Sequence, residues 1–111
     1  MTKRARAALV VAAFLLPARA DAATCKASFY HEGQMTANGE RFKPDGLTAA
    51  IWGYPFGTLL RVNFKDRSVV VRINDRGPAK WTGRCIDLSR GAARILGFLS
   101  AGVVTVTFEK A

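Results

Sequence analysis

Apolar and polar residues alternate along two neighbouring stretches in the middle of the chain. Leu59-Leu60-Arg61-Val62-Asn63-Phe64 and Ser68-Val69-Val70-Val71-Arg72-Ile73 are rich in β-branched and large apolar residues at a period of two, which predicts two strands. Lys65-Asp66-Arg67 joins them over a distance suited to a hairpin. Residues 103–108 repeat the pattern, with Thr105 and Thr107 set against Val104 and Val106. Residues 27–30 and 47–51 supply further short strands. One segment has the helical period instead: Leu88, Ala92 and Leu96 share a face. Ser89 or Asp87 can cap its start and Gly97 can end it, so a helix is expected over 89–96. The elements predict a mainly β domain. A small closed β-barrel with one or two short helices accounts for them and leaves no exposed strand edge.

The first residues carry a different pattern. Lys3, Arg4 and Arg6 precede an apolar run over 7–16, and Ala18-Arg19-Ala20 and Ala20-Asp21-Ala22 offer small residues at the spacing a signal peptidase reads. We expect residues 1–22 to be a cleaved signal peptide and 23–111 to be one barrel domain. Ten apolar residues are too few to span a bilayer as a helix, which takes roughly 20. Ala22-Ala23-Thr24 ahead of Cys25 lacks the Leu of a lipoprotein signal. The expectation is therefore an exported protein, periplasmic or secreted, with neither a membrane span nor a lipid anchor.

Charge changes the picture modestly. The whole chain carries +9; losing four basic residues and one acidic residue with the leader leaves +6. A basic domain favours anionic partners. Nucleic acid fits poorly, because the basic residues are scattered and the chain is exported, whereas an anionic wall polymer suits the compartment. In that oxidising setting Cys25 and Cys85 are expected to form a disulfide. A metal site is not expected, since only His31 could add nitrogen to two cysteines, and no cofactor is implied.

The chemistry concentrates at Asn74-Asp75-Arg76-Gly77-Pro78, directly after an alternating strand. A carboxylate at a strand end can be held rigidly against a substrate, as proton transfer requires. Asn, Asp and Gly are also ordinary turn formers, so the local pattern alone leaves both roles open.

Six segments in order settle which role to expect. They are Ala27-Ser28-Phe29-Tyr30, Thr36-Ala37-Asn38-Gly39-Glu40-Arg41-Phe42, Leu47-Thr48-Ala49-Ala50, Pro55-Phe56-Gly57-Thr58, the run from Val69 to Pro78, and Ile86-Asp87-Leu88-Ser89. Together they resemble the rare lipoprotein A (RlpA-like) family of double-psi β-barrel domains, from Cys25 to the end of the chain. The resemblance implies a six-stranded double-psi barrel of the kind found in expansins, barwins and family 45 glycosidases. It also implies lytic transglycosylase activity on naked peptidoglycan strands, with the barrel here lacking the C-terminal peptidoglycan-binding domain that many relatives carry. A monomer is expected, although no residue pattern sets the oligomeric state.

By the same resemblance Asp75 and Glu40 are the expected catalytic carboxyls. Tyr30, Arg76, Lys80 and Trp81 are expected to contact the strand, with Trp52 and Tyr54 as further aromatic faces. Arg76 has a second expected role, pairing with Asp87 to hold the loop, and Asp87 is read as a cap or brace. Two positions depart from the family pattern. Lys43 stands where an acidic residue is usual, and Ile51 where a His is usual. Asp45 is an auxiliary candidate that could replace the missing acid, and His31 is a second auxiliary candidate. The competing expectation is a glycan-binding or expansin-like wall-loosening module that breaks no bond.

Overall fold

A computed structural model describes residues 22–111. The expected leader lies outside the described residues except for Ala22. Six strands close into a barrel: β1 (Ala23–Tyr30), β2 (Thr48–Ile51), β3 (Leu59–Phe64), β4 (Arg67–Asp75), β5 (Ile86–Ser89) and β6 (Val104–Lys110). Their order around the barrel is β1-β5-β2-β4-β3-β6. Two neighbours are parallel, β1 with β5 and β2 with β4; the other pairs are antiparallel.

Alternation sets which residues enter the core. Val69, Val71 and Ile73 of β4 and Leu60 and Val62 of β3 point inward and are buried, while Val70 and Leu59 remain exposed. The hairpin is tighter than predicted. Phe64 pairs with Arg67, so Lys65 and Asp66 alone form the turn. Lys65 takes a left-handed φ of 55° there, the backbone sign that a two-residue hairpin turn favours.

The pattern did not predict β5. It is four residues long, with Ile86, Leu88 and Ser89 buried, because it lies between β1 and β2 and both of its faces are covered. Ile86-Asp87-Leu88-Ser89 does alternate, but four residues carry little period-two signal, and Leu88 also fits the helical face it shares with Ala92 and Leu96. The helix α1 (Arg90–Leu96) begins where expected. Ser89 is its cap, the hydroxyl accepting from the Ala92 N–H at 3.2 Å, so Asp87 is free of that duty. A 3-10 turn at Lys80–Thr82 is the second short helix.

Inside, α1 contributes Ala92, Ala93 and Leu96 to the core, and Phe98 seals it with edge contacts to Phe29 and Phe64 at 5.9 and 6.1 Å. Gly91 is required where α1 meets the preceding loop. A Cβ there would lie 2.5 Å from the Asp45 carbonyl oxygen, which leaves no room for any side chain.

Cys25 and Cys85 form the expected disulfide, closing 60 residues of chain. Chain-entropy cost scales with loop length, so this crosslink contributes about 4 kcal/mol. The double variant Cys25→Ala/Cys85→Ala should lose stability of that order in urea unfolding. A loss below about 1 kcal/mol would show that the crosslink does little to constrain the unfolded chain.

Candidate functional site

Asp75 is the last residue of β4, not a residue of the turn beyond it. Its Oδ1 accepts from the backbone N–H groups of Ala37 and Arg76, each at 2.9 Å. Its Oδ2 accepts from the Tyr30 hydroxyl at 3.1 Å. Three donors fix the carboxylate in one orientation. Tyr30 is itself held, its ring stacked on Phe42 at 4.5 Å. Burial first, then the charge of Asp75, pushes the Tyr30 phenol well above its ordinary value, so it stays a donor at any physiological pH. Tyr30, expected to contact the strand, has the further role of orienting Asp75.

Glu40 arrives from a separate loop. Thr36 Oγ1 donates to Asn38 Oδ1 at 2.6 Å, and that same oxygen accepts from the Glu40 N–H at 3.2 Å. The Asn38 N–H also bonds the Asn74 carbonyl at 3.2 Å, tying this loop to the end of β4. The Glu40 carboxylate accepts from Asn74 Nδ2 at 2.7 Å and from Arg72 Nη2 at 2.9 Å. The Asn74 hydrogen bond and then the Arg72 guanidinium hold Glu40 below the usual carboxylate range. It is an ionised group, suited to bracing Asn74 and not to giving up a proton.

A third carboxylate joins them that sequence reasoning had treated as a brace. Ala50 of β2 pairs with Asp75 on one side and with Asp87 on the other, so the two acids flank one residue. Asp87 accepts from Ser28 Oγ at 3.1 Å, and Ser28 accepts from Arg84 Nη1 at 2.8 Å. Burial pushes Asp87 above its ordinary value, with a smaller contribution from the nearby charge of Asp75, against the opposing pull of Ser28 and Arg84. Arg84 was missed because a lone loop Arg has no pattern around it. Ser28 lay in the quoted motif without an assigned role.

Several expected contacts are placed elsewhere. Arg76 does not pair with Asp87. Its guanidinium donates to the Ile51 carbonyl at 3.1 Å and lies 3.9 Å from the centre of the Phe56 ring, bracing the loop after β2. Asp45 is taken up by Arg90 and Arg94 at 2.9 and 3.1 Å, because those two residues sit one helical turn apart on α1 and face the same loop. His31 is exposed and lies 3.7 Å from Glu32.

Two cavities of about 450 Å³ each open near this cluster. Glu40, Arg72, Asn74 and Thr48 line the first. Ile51, Trp52, Tyr54, Lys80 and Arg84 line the second. Lys80 Nζ lies 5.7 Å from the Trp52 ring centre, and Trp52 donates to the Pro78 carbonyl at 2.8 Å. Trp81 projects outward, 88% exposed. Ile51 is buried, so no proton-handling side chain stands at that end of β2.

A family model described as lytic transglycolase matches residues 22–108. The chain belongs to the lytic transglycolase family. Relatives in this family include the "Probable endolytic peptidoglycan transglycosylase RlpA" of Nostoc sp., 56% identical over 75% of this chain and 24% of its own length. The "Endolytic peptidoglycan transglycosylase RlpA" of Pseudomonas aeruginosa is 46% identical over 69% of this chain and 23% of its own length. The chain thus spans about a quarter of the length of the curated relatives it matches. Among solved structures, a Streptomyces papain inhibitor superposes with a TM-score of 0.69 at 25% identity, covering 81% of this chain and 94% of its own. An expansin of Clavibacter michiganensis superposes at 0.66 and 23% identity over 81% of this chain and half of its own, a likeness of fold. These matches bear out the six-stranded double-psi barrel expected from the motifs.

The barrel therefore holds Glu40 and Asp87 in surroundings that push them in opposite directions. Glu40's bonds add stability above the ordinary Glu range, and that stability is lost as pH falls through the lowered folded value. Asp87 is the reverse: its folded value is raised, so the stability it lends is present below the ordinary Asp range and lost as pH rises through the folded value. Asp87→Asn should accordingly resist urea better than the parent at pH 7, with the difference closing toward pH 3. Glu40→Gln should resist it less well at pH 7, again converging in acid. Shifts of the same sign at pH 7 would show that these surroundings do not act as described.

Proposed function

We propose that this protein cleaves the glycan strands of peptidoglycan by lytic transglycosylation, with Asp75 moving the proton. The carrying observation is the Asp75 carboxylate, fixed by three donors at the end of β4 and next to Asn74, which lines a cavity. Family membership and the names of the relatives support the substrate class.

The reaction breaks the bond between C1 of N-acetylmuramic acid and O4 of the following N-acetylglucosamine. As general acid, Asp75 passes a proton to that O4 as the bond to C1 breaks. The C6 hydroxyl of the same muramyl ring then attacks C1, and its proton passes to the Asp75 carboxylate. A 1,6-anhydro end results and Asp75 returns to its starting form. Because the nucleophile belongs to the substrate, no water and no second catalytic carboxyl are needed. Glu40, ionised, positions Asn74 beside the acid. Tyr30 orients Asp75.

Export follows from the same reading. The basic start and apolar run would direct the chain out of the cytoplasm, to the periplasm or beyond, with cleavage after Ala22. Cys25 is committed to Cys85, which leaves no thiol there for a lipid anchor, and no helix of the described residues is long and apolar enough to cross a membrane. One observation favours a binding module instead: buried Ile51 stands where the family motif usually has His.

Digesting peptide-free glycan strands and weighing the products by mass spectrometry separates these readings. Anhydro-ended fragments are expected, with turnover falling by about 10²- to 10⁴-fold in Asp75→Asn. Glu40→Gln should fall less, since it keeps an acceptor for Asn74. Reducing ends would mean hydrolysis, and intact strands that sediment with the protein would mean binding alone. Full turnover in Asp75→Asn would remove the mechanism.

A further inference from the structure

The cavity beside Glu40 has a composition that the proton transfer does not use. Arg41, Lys43 and Arg72 line it together with one carboxylate, Glu40, and Arg72 already neutralises that carboxylate at 2.9 Å. Arg41 and Lys43 are exposed, and neither makes an ion pair among the described residues. Two cations are thus left over at the mouth of a hollow about 450 Å³ in volume, the size of a small-ligand site.

A second observation comes from the wall of the same hollow. Thr48 and Asn74 both line it, and both are more than nine-tenths buried. Thr48 Oγ1 and Asn74 Oδ1 are the two buried side-chain polar atoms without a partner among the described residues. Buried polar atoms are ordinarily satisfied. Asn74 cannot turn its amide to solve this, since its Nδ2 is engaged by Glu40 at 2.7 Å. A ligand with hydroxyl or amide hydrogens, reaching in from the hollow, would satisfy both. Leu47, 40% exposed, adds an apolar surface beside them.

We propose that this cavity is a subsite for a sugar bearing a carboxylate. Arg41 and Lys43 take the carboxylate through charge-assisted hydrogen bonds, while Thr48 and Asn74 accept from the hydroxyl or acetamido hydrogens of the ring. The proposal rests on the reading of this chain as a protein of peptidoglycan strands. Lys43 is the specific element. An acidic residue at that position would face Glu40 and repel an anion, whereas Lys43 reverses the sign of the cavity mouth. The carboxylate has two sources in such a polymer: the lactyl group on the muramyl ring, or an acid of the stem peptide attached to it.

Binding measured with the Asp75→Asn protein, which leaves strands intact, tests the subsite. The probes are peptide-free glycan strands, the same strands with lactyl carboxyls reduced to alcohols, strands with stem peptides, and uncharged chitin oligosaccharides. Reduction should weaken binding by at least about ten-fold, the scale of a hydrogen bond to a charged group. Arg41→Gln/Lys43→Gln in the same background should lose a similar factor on unreduced strands and nothing on chitin oligosaccharides. Unchanged chitin binding also shows that the variant is folded. If reduction has no effect but stem peptides tighten binding in a Lys43-dependent way, the carboxylate comes from the peptide and the subsite stands. Equal binding of all four probes by parent and double variant overturns it. Failure of the reaction reads differently: wild-type protein that yields no anhydro ends yet keeps carboxylate-dependent binding has lost the enzyme reading and retained this one.

Discussion

Ala50 has a strand on either side, and everything near the site follows from that. Its partner in β4 is Asp75 and its partner in β5 is Asp87. β2 is only four residues long and wholly buried, so it cannot slip without carrying inward residues to the wrong face. The register of the two acids is therefore set by the barrel and not by the loops that surround them. Small side chains make this possible: Ala49 and Ala50 are almost fully buried and let neighbouring chains close over them. A register shift between Ala49 and Ala50 in the pairing with β4 brings Asp75 into line.

Around this fixed pair, each carboxylate meets a different environment. Glu40 is surrounded by donors and stays ionised. Asp87 is drawn into the barrel wall, where desolvation outweighs Ser28 and Arg84. Asp75 lies between them, oriented by a phenol and two backbone N–H groups. Opposed environments for neighbouring carboxyls are how one fold separates the donating and accepting roles in proton transfer. The half-buried phenol of Tyr30 matters to this division. It cannot ionise, so it always presents hydrogen to Asp75 and never competes with it as a base.

Much of this was legible in the residues, and the gaps have physical causes. The β3–β4 hairpin could be read because both strands have one exposed face and alternate. β5 could not, because four alternating residues are too few to stand out and Leu88 also falls on the helical face of Ala92 and Leu96. That omission concealed Asp87. Two cap-type residues, Asp87 and Ser89, stand two apart, and only the pairing of Ser28 with Asp87 reveals which one faces the site. The ion pairs of Asp45 could have been read from the chain. Arg90 and Arg94 are four apart on the predicted helix, a spacing that makes a fork for one carboxylate, and Asp45 fills it. Glu40 and Asp75 were named through motif resemblance; their surroundings depend on side chains from three separate segments, which no spacing rule encodes.

The distribution of paired and unpaired charge connects fold to function more directly than the net value does. Among the described residues the acids are largely occupied within the protein. Glu40 meets Arg72, Asp45 meets Arg90 and Arg94, Asp87 meets Ser28, and Glu109 is held by Asn63 at 3.1 Å with Arg61 at 4.0 Å. Arg41 and Lys43 at one cavity, and Lys80 at the other, face outward without such partners. Internal pairing thus takes up Glu40, Asp45 and Glu109, while cations without an ion pair stand at both hollows near the carboxyl cluster as well as elsewhere on the surface. A polymer with a carboxylate on alternate sugars would be drawn along that line by a field that salt weakens. The acids could not serve the chemistry if they also had to repel the strand on approach. Pairing Glu40 with Arg72 and setting Asp87 into the wall reduces that repulsion, so that under the proposed reaction an anionic strand would meet cations before it met Asp75.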